Sequence, residues 1–301
     1  MKKKTIHKSF LGNCRRIIEK FIPETSYLYK WLYLNMTVVN SRKRNKRKES
    51  LVFKYHTVDG CNLNCIGCST FSQLVNNSFV ELSSFERDIK RIVSLGNVEK
   101  MEFIGGEALL HPNILELFKI AREYIKTGKL VLVTNGVLLS KQDINFWEVC
   151  KKNRIEIAVT PYPIKLDYDR IGEMTEKYEV SFRHYHIGKK DLFVKTPMNI
   201  NGRANMSKSF KKCLSSDCAT LRDGKMYPCY RPYCVKFFNE YFGQDFKVSE
   251  RDYKDIYKVK DIDELLDFVC KPPPFCRYCD LDKMDFGIPW RQTKREISEW
   301  M

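Results

Sequence analysis

The sequence predicts an α/β fold followed by a small cysteine-rich module, and three observations carry that expectation. From Leu51 to about residue 185, short apolar strand-like runs alternate with helical periodicity. Each run ends in a polar or glycine-bearing turn, the pattern of a βα repeat that builds a parallel barrel or sheet. Beyond about residue 205 the alternation stops, and cysteines and prolines crowd together. With 301 residues, 43% of them hydrophobic, the chain can bury one large core and a smaller module.

Each element has its own signal. Leu51–Val58 is an apolar strand followed directly by a loop rich in cysteine. Ser83-Ser84-Phe85-Glu86 reads as a capping box, with Phe85, Ile89, Ile92 and Val93 on one helical face and Gly96 as the stop. Residues 101–104 form a strand ending in Gly105-Gly106-Glu107. Asn113 caps a helix with Ile114, Leu117, Phe118, Ala121 and Ile125 at helical spacing. Residues 130–133 form a strand ending in Thr134-Asn135-Gly136, and a helix over 141–152 turns Trp147 and Cys150 inward. Residues 155–159 are a strand ending at Thr160, before a weaker helix over 167–178 and a strand over 180–185. Asp223-Gly224 marks a hairpin turn, and residues 261–269 a short helix. In parallel α/β architectures ligands bind at the strand C-terminal ends, so one face carries all the candidate sites. The expected division is a basic arm over 1–50, a core over 51–205 and the cysteine-rich module over 206–301.

Charge and cysteine usage narrow the class. The net charge of +16 is concentrated in the arm, where 14 Lys and Arg stand against 3 Glu in residues 1–50. Its densest stretch, Arg42 to Lys48, follows an aromatic helix-like segment from Tyr27 to Val39. It reads as a solvated linker, or as a contact for an anionic membrane or partner surface. No nucleic-acid motif accompanies it, so no nucleic-acid partner is expected. No apolar run approaches the about 18 residues of a membrane span, and no signal-peptide core follows Met1-Lys2-Lys3-Lys4. The expected location is cytoplasmic, membrane-peripheral if the arm makes that contact. Tight cysteine clusters suggest metal rather than disulfides. Cys14 stands apart, and Cys150 and Cys270 sit in helical apolar patterns as small buried residues.

Cys61-x3-Cys65-x2-Cys68 is the most informative motif. Three thiolates on one loop can hold an iron–sulfur cube and leave one iron open to a ligand. Zinc or buried thiols are the other readings of three such cysteines. Glu107, 39 residues after Cys68, offers a carboxylate for an ammonium group, and Gly105 and Gly106 allow close backbone approach. Thr134, Asn135 and Thr160 add polar groups at neighbouring strand ends. Tyr162 and Lys165 nearby read as packing and solvated residues, or as residues that face a substrate.

Together these motifs resemble the radical S-adenosylmethionine (SAM) enzymes. The resemblance implies a partial (β/α)6 TIM-like barrel in which Cys61, Cys65 and Cys68 hold a 4Fe–4S cluster. It further implies that Gly105, Gly106, Glu107, Thr134, Asn135 and Thr160 bind SAM. The cluster would cleave SAM reductively to a 5′-deoxyadenosyl radical that abstracts hydrogen from substrate, with flavodoxin or ferredoxin as electron donor. Two positions depart from the family pattern: Gly67 stands where an aromatic often precedes the third cysteine, and Ala108 replaces the proline of Gly-Gly-Glu-Pro.

Cys213, Cys229, Cys276 and Cys279 resemble the twitch/SPASM-like auxiliary module, which implies a second 4Fe–4S cluster. Cys218 is the alternative to Cys213, and zinc is the alternative metal. Residues 61–72, 162–164, 224–229 and 275–279 look like a little-characterised bacterial group accompanying surface-polysaccharide glycosyltransferases. That implies oxidation of a sugar or sugar alcohol, with peptide modification as the rival within the class. A non-catalytic iron–sulfur or zinc interaction protein is the rival outside it, and retention of Glu107 argues against that rival.

Overall fold

A computed structural model describes residues 47–185 and 192–301. Cys14, the aromatic segment and most of the basic run lie outside the described residues.

The first four helices and five strands alternate. They are β1 (Leu51–Val58), α1 (Leu82–Leu95), β2 (Val98–Gly105), α2 (Ile114–Tyr124), β3 (Lys129–Thr134), α3 (Ile144–Lys152), β4 (Ile155–Val159), α4 (Tyr168–Lys177) and β5 (Phe182–His184). Beyond them come β6 (Leu192–Lys195), α5 (Met206–Lys212), β7 (Thr220–Arg222), β8 (Lys225–Tyr227), α6 (Arg231–Phe242), β9 (Lys254–Asp255), α7 (Ile262–Val269) and β10 (Asp285–Pro289). Strands β1 to β5 lie in sequential order and pair in parallel, with registers such as Phe53 opposite Met101 and Leu132 opposite Ile157. The sheet is open rather than closed, so the expected partial barrel holds.

The sixth parallel strand is not the next βα unit. β7 takes that place, pairing with the free side of β1, and the sheet continues through antiparallel β8 and β9. β6 instead pairs antiparallel with β10. The cysteine-rich segment is therefore continuous with the core sheet. In the β7–β8 hairpin, Asp223 and Gly224 both adopt positive φ, as a two-residue turn between twisted strands requires.

Strand alternation divides the sheet faces. Leu51, Phe53 and Tyr55 point to the helical side and share a core with Phe85, Ile89, Ile92, Phe103, Phe118 and Trp147. Tyr55 and Phe85 meet edge to face at 4.6 Å. Helices thus cover this face, as the periodicity predicts. A second core joins Phe71 of the cysteine loop to Tyr227, Tyr233, Phe238, Phe275, Tyr278 and Trp300.

Several expectations change. The helix starts at Leu82, and its N-cap is Glu81 without a side-chain cap bond. The capping box therefore does not form, because Ser83 and Ser84 already lie inside the first turn. Asn113 is an N-cap but makes no side-chain cap bond. The 141–152 helix shortens at its start, since Asp143 accepts from Phe146 N at 2.9 Å and caps α3 there. Cys150 is buried as expected, but Cys270 is partly exposed because it sits at the C-terminal cap of α7. Arg47, from the end of the basic run, is not simply solvated. It pairs with Asp263 and with Asp267 (2.7 Å) on α7.

The opposite face carries charge. Lys54 Nζ donates to Tyr185 Oη (2.7 Å) and lies 3.3 Å from Glu102 Oε2, while Lys100 Nζ donates to Glu102 Oε1 (2.8 Å). Glu102 is only 3% exposed. Burial opposes its charge, but Lys54 and Lys100 more than offset this and hold the carboxyl down at about 2. A folded-state value below the unfolded one stabilises the fold above about pH 4.5, and the contribution fades as pH falls towards 2. Its size is roughly 3 kcal/mol. Glu102→Gln strands Lys54 without a counter-charge and is expected to cost about 3–5 kcal/mol in denaturant unfolding. It should also flatten the loss of stability between pH 4.5 and 2.

Candidate functional site

The ends of β1, β2, β3 and β4 bring the expected residues to one place. Gly106 N donates to Val58 O (2.8 Å) and Glu107 N to Gly60 O (3.1 Å), stitching the end of β2 to the start of the cysteine loop. A Cβ on Gly105 would stand 2.2 Å from Val58 O, and one on Gly106 2.0 Å from Gly60 O. The two glycines are thus required for close approach of protein backbone. This differs from the expected approach of a ligand, because the chain itself fills the space.

Glu107 is buried and already engaged. Oε1 accepts from Thr134 Oγ1 (2.6 Å) and Leu109 N (3.1 Å), and Oε2 from Asn135 N (2.8 Å). Burial raises its pKa, and these three donors counteract the rise. Oε2 retains acceptor capacity for a further donor. Asn135 extends the tie, since its Nδ2 donates to Asn62 Oδ1 (2.8 Å) and, at 3.8 Å, to Cys61 Sγ. Thr160 is buried and joined to the same strand end through its N–H to Thr134 O (2.9 Å).

The three cysteines of the loop share a common neighbour. Tyr162, half-buried, lies near Cys65, Cys68, Cys61 and Glu107 together, and its ring stacks on Phe193. Tyr162 therefore belongs to the site. Its position was not legible because the neighbours follow β1 and β2, about 55 to 100 residues earlier in the chain.

Each sulfur also meets a hydrogen-bonding group. Leu63 N donates to Cys61 Sγ (3.4 Å), Thr70 Oγ1 lies 3.1 Å from Cys68 Sγ, and Trp290 Nε1 donates to Cys65 Sγ (3.3 Å). Burial raises the Cys61 thiol pKa, as do the charges of Glu107 and the other two cysteines, while the Leu63 N–H opposes the rise. Donors directed at sulfur suit thiolate ligands. Among the described residues no three His, Cys, Asp or Glu side chains converge on a single ion. Thiolates bound to different corners of a cube need no such convergence, so the set fits a cluster.

Gly67 has a physical reason to be glycine. Its φ is +56°, and a Cβ there would stand 3.2 Å from Glu299 O of the C-terminal segment. Both disfavour an aromatic side chain at this position.

The second cysteine set also gathers. Cys276 lies in the electrostatic neighbourhood of Cys229, Cys279 and Cys213, and burial raises its pKa first, their charges next. Arg231 Nη1 donates to Cys279 Sγ (3.5 Å). Cys213 has Cys279, Arg231 and Cys218 beside it, and Cys218 also lies among Lys54, Asp217 and Glu102 on the charged face. Cys234, fully buried on α6, lies near Cys68 and Cys229, between the two sets.

The Glu107 tie makes a measurable contribution. Thr134→Val removes a donor from a buried carboxylate and is expected to cost about 1.5–3 kcal/mol in denaturant unfolding of the metal-free chain.

Comparison with known proteins agrees with this geometry. Residues 55–183 match the Radical SAM superfamily. A GTP 3′,8-cyclase of Chlorobaculum tepidum is 35% identical over 82 residues, which are 27% of this chain and 24% of that protein. One of Clostridium perfringens (strain 13 / Type A) is 31% identical over 120 residues, covering 39% and 35%. The chain thus spans about a quarter to a third of the length of these relatives. Among solved structures, BtrN in complex with AdoMet and 2-DOIA is 15% identical, covers 77% of this chain and 94% of its own, and superposes with a TM-score of 0.46. Native anSMEcpe with bound AdoMet is 14% identical, covers 75% and 82%, and has a TM-score of 0.47. No helix among the described residues is long and apolar enough to cross a membrane. Members of the matched superfamily bind a 4Fe–4S cluster and SAM. Residues 55–183 of this chain are therefore a radical SAM domain.

Proposed function

We propose that the chain is a radical SAM enzyme that oxidises a polar substrate by hydrogen abstraction. The convergence of the three-cysteine loop, Glu107 and Asn135 at the strand ends carries this reading. When bound, a reduced 4Fe–4S cluster and SAM supply a carbon-centred radical that takes hydrogen from substrate. Cys61, Cys65 and Cys68 would hold three irons and leave the fourth for the amino and carboxylate groups of SAM. Glu107, fixed by three donors, would use the remaining capacity of Oε2 for the ammonium group. Asn135 and Thr134 orient that carboxylate, and Thr160 keeps the β3 and β4 ends together. Tyr162 and Phe193 cover the site with stacked rings and exclude water.

Below the strand ends the sheet face carries Lys54, Glu102 and Tyr185, which supports a polar substrate over an apolar one. A sugar or sugar alcohol of a surface polysaccharide fits this chemistry, and a peptide is the alternative. Cys213, Cys229, Cys276 and Cys279 would hold a closed auxiliary cluster, a reading supported by the charged neighbours Lys54, Asp217 and Glu102 around Cys218. Such a cluster would supply the electron acceptor that an oxidation needs. A flavodoxin or ferredoxin would reduce the first cluster. Residence in the cytoplasm, with the basic arm against an anionic surface, completes the proposal.

The test is anaerobic reconstitution, reduction and incubation with SAM. The expected product is 5′-deoxyadenosine, lost in Cys61→Ala, and its absence from a fully loaded, reduced wild-type chain refutes the reading. Iron should reach about eight atoms per chain, falling to about four when Cys276 and Cys279 are both changed to Ala. Four irons with one zinc in the wild type would instead make the second site a zinc site.

A further inference from the structure

The cysteine loop is clasped by a segment more than 200 residues away in the chain. Ile66 N donates to Arg291 O (2.9 Å), Thr293 N to Asn64 O (2.9 Å), and Cys65 and Gln292 form an antiparallel bridge. Trp300 Nε1 donates to Cys68 O (2.9 Å). Glu299, buried, fixes the shape of this segment by accepting from Lys294 N (3.0 Å) and Thr293 Oγ1 and by pairing with Arg291 (2.8 Å). These contacts hold the backbone of the loop or shape the segment itself. One contact does something else: the Trp290 indole N–H is aimed at Cys65 Sγ, 3.3 Å away.

An indole nitrogen only donates, so the sulfur must be the acceptor. That is the role of a thiolate ligand rather than of a free thiol seeking its own partner. Reduction of a cluster adds negative charge, part of which resides on the ligand sulfurs. A donor to sulfur therefore stabilises the reduced state more than the oxidised state and raises the potential.

We propose that Trp290 is a positioning residue of the first cluster, and that its N–H bond to Cys65 Sγ raises the potential at which that cluster accepts its electron. The C-terminal segment thereby forms part of the SAM-cleaving centre although it lies outside the matched domain. The proposal rests on Cys61, Cys65 and Cys68 being cluster ligands, and its test separates the two.

The reconstituted full chain is titrated anaerobically, following the paramagnetic signal of the reduced cluster that SAM perturbs. Trp290→Phe is expected to load the same iron and to show about tenfold less reduced over oxidised cluster at a fixed potential. For a one-electron couple this is a midpoint about 59 mV more negative. Replacement of Trp290 by benzothienylalanine, which keeps both rings and has sulfur in place of the N–H, should reproduce the shift. It decides the question alone where the Phe variant does not load. Trp300→Phe removes a donor to a carbonyl oxygen and should leave the midpoint in place. A wild-type midpoint in a loaded Trp290 variant, or an equal shift in Trp300→Phe, overturns the proposal. A wild-type chain that takes up no iron at the three cysteines overturns the ligand reading, and the role of Trp290 with it.

Discussion

The cysteine loop depends on hydrogen bonds supplied from outside itself. Its own backbone makes few, among them Cys65 N to Leu63 O and Phe71 N to Cys68 O. Buried peptide groups need partners, and those of Asn64, Ile66 and Cys68 find them in the C-terminal segment. Side chains of α6 and its N-cap add to the frame. Tyr230 Oη lies 2.9 Å from Ser69 Oγ, and Tyr233 Oη donates to Asp59 Oδ1 (2.9 Å) just before the loop. The chain must close long loops to make these contacts, so the site is assembled only when the ends of the fold meet.

The sheet supplies what the loop cannot. Parallel strands all end on one side, and Glu107 uses that geometry to tie the end of β2 to the end of β3. The same carboxylate faces the cysteines through Asn135 and Asn62. Burial pushes the Glu107 pKa up, and its three donors counteract the rise. The helical core lies on the other face of the sheet from Lys54, Glu102 and Tyr185, which bond to one another. A mutually paired charge network can be held there because each member has its counter-charge.

Much of this was legible because it is local. Period-two and helical patterns separated β1 to β5 from α1 to α4, and the cysteine spacing with Gly-Gly-Glu identified the matched family. Local rules failed where a tertiary contact outweighed them. The Ser83 to Glu86 signature is a capping box by pattern, but the chain enters α1 earlier, from the β1-side bond of Val80 N to Thr57 O. Cys270 looks buried by periodicity, yet the helix ends beneath it.

By itself the sequence determined the alternating architecture, the three-cysteine loop and the carboxylate opposite it, since each is encoded within a few dozen residues. Only the tertiary structure shows the different charges around Cys213 and Cys218, with Cys279 and Arg231 beside the first and Lys54 and Glu102 beside the second. It alone placed β7 beside β1, Tyr162 beside the cysteines and Trp290 against Cys65. Those contacts join residues separated by about 100 to 225 positions. No periodicity or spacing rule reaches that far; packing and the need to satisfy buried polar groups do.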